Sequence, residues 1–337
     1  MKLFLTPPEA GPMSDAAFDA EPQSRLREFP ISFFAIVMGL SGLTLATRAA
    51  EHALGLAPQA SVWMLAASAG VFALVAMLYL AKGLSHPDAV REEWAHPARI
   101  AFFPAVSISM LLIATAAAPV LPDQARLLWI AGAAGQAALT LAVVASWIGH
   151  RPFQPAMLSP AWFIPAVGNV IAPVAGVGFG FPELSWLFFS AGMLFWIVLL
   201  TLVFNRLVFH DPLPGRLTPT LVILIAPPAV AFVAYLRLGA EVDAFARVLL
   251  NAGYLFLAVV ATQVGKFARL PFALSFWALS FPVAALAIAS FLFAERTGSA
   301  VHEGIGLGLW LLLAAIVAGL AIRTLAAVAR GEICRPE

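Results

Sequence analysis

The 337 residues are 62 % hydrophobic and 11 % charged, with a mean hydropathy of +0.93; soluble domains carry about 25 % charged residues, so a soluble globular enzyme and a disordered chain are both excluded and a polytopic membrane protein remains. The 19 Lys and Arg nearly balance the 18 Asp and Glu, which leaves no basic stripe for nucleic acid. The single cysteine, Cys334, excludes a disulfide framework and a cysteine-based metal site.

Residues 1–29 are polar, acidic and rich in Pro and Ala. Pro7 and Pro8 end the apolar run Leu3–Leu5 well short of a signal-peptide core, so this stretch reads as a cytoplasmic tail. Ten apolar stretches follow, at 31–50, 62–82, 100–118, 124–147, 161–180, 184–205, 219–237, 244–262, 272–293 and 304–328. Each is close to the length of about 20 residues that crosses hydrocarbon. Proline-containing links separate many of them, and the one long link, 83–99, carries Glu92-Glu93-Trp94-Ala95-His96-Pro97, suited to the membrane interface. Residues 331–337 form a second tail, leaving 30–330 as one transmembrane domain. An even count puts both termini on one side. Fourteen of the 19 Lys and Arg fall on that side, and the excess of positive charge in cytoplasmic loops makes it the cytoplasm.

Prolines interrupt only alternate stretches. Pro104 lies in the third, Pro165 and Pro173 in the fifth, Pro227 and Pro228 in the seventh and Pro282 in the ninth; the first has Pro30 at its entrance and Gly39 and Gly42 further in. The even-numbered stretches have no interior proline. A proline removes a helical hydrogen bond, and in lipid the freed group must be received by protein or a water-filled cavity. The alternation therefore predicts an all-α protein of five helical hairpins, with kinked odd-numbered helices lining a central pore and unbroken helices outside. Gly168, Gly176, Gly178, Ser275, Ala278, Ala284 and Ala285 let the inner helices approach closely.

No ionisable group falls at the centre of any stretch; the interior polar residues are uncharged, among them Ser107, Ser109, Thr115, Gln136, Asn169 and Ser280. A carried proton or cation needs a titratable or charged site, so a passive pathway is favoured over an ion-coupled carrier. Catalytic pairs and metal-ligating clusters are also missing from these stretches, and the expectation is no enzyme activity, no cofactor and no metal. Phe281 directly precedes Pro282 at the break in the ninth stretch. A bulky apolar ring there can close a pore by excluding water, although among 26 phenylalanines spacing alone favours lipid-facing or core packing.

Several motifs occur in a recognisable order. They are Phe29-Pro30 with Phe34 and Gly39, Glu93-Trp94-Ala95-His96-Pro97-Ala98-Arg99, Pro160-Ala161-Trp162-Phe163-Ile164-Pro165-Ala166-Val167-Gly168-Asn169, Ala226-Pro227-Pro228-Ala229 and Phe276-Trp277-Ala278-Leu279-Ser280-Phe281. Over residues 29–330 the chain resembles the tellurite-resistance/dicarboxylate transporter family, which includes the bacterial TehA proteins and the plant slow-type anion channels. The resemblance implies a homotrimer in the bacterial inner membrane, with a separate quasi-fivefold pore in each ten-helix protomer. It also implies that Phe281 is the pore-occluding phenylalanine and that Phe34 faces the pore. The chain departs from the pattern at Pro282, where glycine is common, and at Val37, where proline is common.

The expected function is passive conduction of small monovalent anions, chloride- or nitrate-like, through a neutral lumen that favours anions losing their water cheaply. The carbonyls freed by the kinks are expected to face protein, because in the lumen they would repel an anion. The alternatives are a carrier or exporter of dicarboxylate, sulfite or tellurite-related anions, a membrane enzyme, and a membrane scaffold without ion flux.

Overall fold

In the computed structural model, residues 25–149, 153–267 and 269–334 are described; most of the first expected tail and the end of the second lie outside them. The described residues are helical and contain no strand. Nine helices among them are long and apolar enough to cross a membrane: Ile31–Ala53, Gln59–Ser85, Ile100–Ala117, Pro122–Ile148, Pro182–Phe209, Gly215–Arg237, Ala244–Ala261, Leu274–Thr297 and Ala300–Ala329. The fifth expected stretch is the shorter, broken helix Pro160–Gly176. Counting it, we number the segments one to ten in chain order.

Odd and even segments differ as the prolines predict. In the first, third, seventh and ninth segments 61 % to 83 % of the most apolar stretch is buried inside the protein, against 17 % to 33 % in the even ones. The odd segments thus form the interior. Each touches the next odd one, and the ninth packs against the first, so the inner set closes on itself. The even segments lie outside and present large apolar side chains such as Trp63, Leu127, Leu187 and Ile322.

The breaks share one local design. Each odd segment begins as a 3-10 helix and then becomes α-helical: Ile31–Phe33 before Phe34–Ala53, Ile100–Phe102 before Ala105–Ala117, Gly215–Ile225 before Ala226–Arg237 and Leu274–Leu279 before Ser280–Thr297. The fifth alternates twice between the two forms. Pro165, Pro173, Pro227, Pro228 and Pro282 all stand in the first turn of a renewed α-helix, where a backbone N–H has no intrahelical partner to lose. Pro104 is the residue just before such a turn. Although the sequence puts Pro173, Pro227, Pro228 and Pro282 deep within their stretches, the change of helix type supplies each with a local N-terminus.

Outer helices supply donors to the broken inner ones. The Pro165 carbonyl accepts from Thr140 Oγ1 at 2.7 Å and from Gln136 Nε2 at 3.3 Å, and the Ala172 carbonyl accepts from Trp129 Nε1 at 2.9 Å. All three donors lie on the fourth segment. In the opposite direction, Trp277 Nε1 of the ninth segment donates to Thr324 Oγ1 on the tenth at 3.0 Å. The Pro165 and Ala172 carbonyls thus find donors in protein that apolar surroundings would not supply.

The entrance to the first segment is held by charge. Lys82 Nζ lies 3.0 Å from Glu93 Oε2, with both side chains almost fully buried, and donates to the Phe29 carbonyl at 2.9 Å. Glu93 also accepts from the Ile31 N–H at 3.2 Å and the Tyr79 hydroxyl at 2.9 Å. Glu93 belongs to the helix Pro87–Ala95 in the long link. On its exposed side Arg27 pairs with Asp88 and Glu92, and the hydrogen bond from Arg27 holds the Asp88 carboxyl below the usual carboxylate range.

Candidate functional site: two cavities and the ring between them

Two cavities lie along the inner set. The narrow one, about 70 Å³, is lined by the leading halves of all five odd segments, through residues such as Ala35, Phe102, Phe163, Ile223 and Ala278. The wide one, about 770 Å³, is lined by their trailing halves and adjoining links, including Leu112, Val174 and Val233. Leading halves at one cavity and trailing halves at the other mean that the five segments run parallel. The narrow cavity therefore lies toward the end where the chain enters its first segment.

Three residues line both cavities: Ile171 of the fifth segment, Val230 of the seventh and Phe281 of the ninth. Phe281 is by far the largest of them. Its ring is half-buried, while the neighbouring Pro282 is buried. The placement follows from the break: Leu279 ends the 3-10 turn, Ser280 begins the α-helix, and Phe281 is its second residue.

The cavities differ in chemistry. The narrow wall carries no charged side chain, and the indole N–H of Trp277, one of its few polar groups, is taken by Thr324. The wide wall contains Arg48, Arg237, Glu51, Glu295 and Glu303. Arg48 donates to the Ala116 carbonyl at 3.1 Å, and one Glu51 oxygen accepts from the Ala60 and Ser61 amides at 2.8 and 3.2 Å. The neutrality expected of the whole lumen thus holds at the narrow cavity and not at the wide one, because charged segment ends turn inward to line the latter. Arg206, near the end of the sixth segment, is buried at 3 % exposure and donates to the Asp211 carbonyl.

The remaining candidates divide by place. Pro227 and Pro282 line the narrow cavity with Phe281. Phe34 does not line either cavity; it is buried at 1 % exposure, with its ring 6.0 Å from Phe72 and 6.2 Å from Tyr79. Asn169 is also turned away, its amide donating to the Ala166 carbonyl at 2.7 Å and to Thr140 at 3.1 Å. Gly39 serves packing, since a Cβ there would come within 2.9 Å of Trp277 Cε3. Pro104, Pro165, Pro173 and Pro228 shape the segments from outside the cavity walls. Ile171 and Val230 were not singled out by sequence, where nothing separates them from the other aliphatic residues of their segments. Among the described residues no group of three or more His, Cys, Asp or Glu is placed to hold a metal ion.

Comparison with known proteins adds an independent line. Residues 28–325 match the SLAC1 family, described as voltage-dependent anion channels. The chain is 27 % identical over 308 residues to the S-type anion channel SLAH3 of Arabidopsis thaliana, covering 89 % of this chain and 48 % of that one. It is 25 % identical over 336 residues to the uncharacterized transporter MJ0762 of Methanocaldococcus jannaschii, covering 92 % and 98 %. It is 29 % identical over 262 residues to the tellurite resistance protein TehA homolog of Haemophilus influenzae, covering 77 % and 79 %. The chain spans about half the length of SLAH3 and of two other plant relatives it matches.

Proposed function

The chain belongs to the voltage-dependent anion channel family, and from that premise we propose that it conducts small monovalent inorganic anions, chloride- or nitrate-like, passively along the axis of the inner helices, with Phe281 as the occluding ring. One observation carries this reading: Phe281, with Ile171 and Val230, stands in the walls of both the wide and the narrow cavity. On this reading a path joining the two runs past the ring. An apolar side chain at such a constriction closes it by excluding water, and its displacement opens it.

The neutral wall of the narrow cavity supports passive conduction, because an anion there meets no fixed opposite charge to trap it. The wide cavity, where an anion still keeps much of its water, carries Arg48 and Arg237 beside Glu51, Glu295 and Glu303, so its wall has no excess of positive charge. A carrier or exporter of tellurite-related, sulfite or dicarboxylate anions is the second reading, favoured by the name of the Haemophilus relative. The two readings separate in liposomes loaded with chloride. Passive conduction gives efflux with no proton gradient and no saturation, whereas a coupled carrier gives efflux that needs the gradient and saturates.

The proposal places the protein in the bacterial inner membrane as a homotrimer with both termini in the cytoplasm. The exposed apolar side chains of the even segments suit contact with lipid or with neighbouring protomers. Multi-angle light scattering in detergent tests the assembly, the trimer mass being the expected result.

A further inference from the structure

Ser275 is the one hydroxyl-bearing residue that lines the narrow cavity, and its hydroxyl is idle. Ser275 Oγ is buried and has no hydrogen-bond partner among the described residues. Among the described buried hydroxyls only Ser41, in the first segment, shares this state; elsewhere helical Ser and Thr hydroxyls commonly donate to the carbonyl three or four residues back. Thr44 donates to Leu40, Ser109 to Ala105, Ser280 to Trp277, Ser290 to Leu286 and Thr324 to Leu320.

The local backbone explains the exception. Ser275 is the second residue of the 3-10 turn Leu274–Leu279. The chain before it is not helical, and Ala273 is extended, with φ −142° and ψ 159°. Hence no preceding helical turn offers a carbonyl to this hydroxyl. The other side-chain N–H in the wall, at Trp277, is committed to Thr324 at 3.0 Å. In carbon surroundings an unused hydroxyl is costly, and this one belongs to a residue lining the cavity that adjoins the Phe281 ring.

As placed, Ser275 Oγ is shielded from the cavity, and a turn about the Cα–Cβ bond brings it to the lumen. We infer that Ser275, so turned, is a hydrogen-bond donor to the passing anion, which makes the narrow cavity a subsite for a small monovalent inorganic anion on the chain-entrance side of Phe281. The inference rests on the anion-pathway reading proposed above. The volume of about 70 Å³ accommodates a small anion with little of its hydration, since one water needs about 10–15 Å³ on the same measure. The single donor also bears on selectivity. An anion that holds water tightly, such as chloride, has more to regain from a replacement donor than weakly hydrated nitrate. Ser275 therefore narrows the preference for easily dehydrated anions that a wholly apolar cavity would impose.

The test is bi-ionic recording in planar bilayers, with Ser275→Ala and Ser275→Thr each made in the Phe281→Ala background so that current is measurable. The expected result is a nitrate-to-chloride permeability ratio raised about three- to tenfold by Ser275→Ala, the scale of one hydrogen bond to a charged group, and nearly unchanged by Ser275→Thr, which keeps the donor. Ser275→Ala should also unfold in detergent at the same or a higher temperature, because it removes an unpartnered buried hydroxyl; Ser280→Ala, which removes a bonded one, should unfold at a lower temperature. A current whose ratio is the same with and without the Ser275 hydroxyl overturns the subsite alone. Absence of anion current in the Phe281→Ala background overturns the pathway reading, and the subsite with it.

Discussion

Gly42 lies against the ring of Phe281. A methyl group on Gly42 would come within 3.3 Å of Phe281 Cδ2 and 3.0 Å of Ala284 Cβ, closer than carbon atoms ordinarily pack. The first segment thus backs the ring, and the absence of a side chain at Gly42 is what lets the ring stand where it lines both cavities. Gly42→Ala is expected to cost about 1–3 kcal/mol through overpacking and to displace the ring. Thermal unfolding in detergent should shift downward, and basal chloride efflux from liposomes should rise above wild type. A variant as stable as wild type with unchanged efflux would contradict the contact.

The buried pair Lys82–Glu93, 3.0 Å apart, joins the end of the second segment, the link helix and the entrance of the first. Removing one partner leaves a buried charge alone, and Lys82→Met or Glu93→Gln should each cost about 3–5 kcal/mol. Replacing both should cost less than the two single losses together. Unfolding midpoints of the two single variants and the double variant, measured in one detergent, check this. Strictly additive losses would show that the two side chains do not act as a pair.

Thr140 is the outer-helix donor to the broken fifth segment, bonding the Pro165 carbonyl at 2.7 Å and receiving the Asn169 amide at 3.1 Å. Thr140→Val keeps the shape and removes both bonds. We expect a loss of about 1–3 kcal/mol from the polar groups left wanting, read as a lowered unfolding temperature. Because Thr140 and Asn169 both lie outside the cavity walls, anion selectivity should stay as in wild type. A selectivity change without a stability change would mean that Asn169 belongs to the pathway after all.

The sequence made the architecture largely readable, for a physical reason. Hydrocarbon forces long apolar helices, and proline shows where a helix must be broken and sheltered. Segment ends were less legible: the stretches expected at 62–82 and 304–328 continue as helix to Gln59–Ser85 and Ala300–Ala329, because interfacial polar residues extend a helix without extending its apolar run. At the site, Phe281 was marked by the adjoining Pro282. Its fellow wall residues Ile171 and Val230 carry no such mark. Asn169 drew attention as a polar residue within an apolar stretch, yet its amide serves the fourth segment, a contact invisible to spacing. Ser275 was read only as a small residue for close packing; the idleness of its hydroxyl depends on the extended backbone before it, which periodicity does not reveal. The Lys82–Glu93 pair closes across a link whose path the sequence does not specify.

The central claim is that Phe281 occludes a passive anion path. Planar-bilayer recording of purified wild type beside Phe281→Ala, in symmetric chloride, tests it most directly. Removing the ring from the partition between the two cavities should raise anion conductance well above wild type, with no proton gradient required. A correctly folded Phe281→Ala protein whose conductance is unchanged or lower would contradict the account.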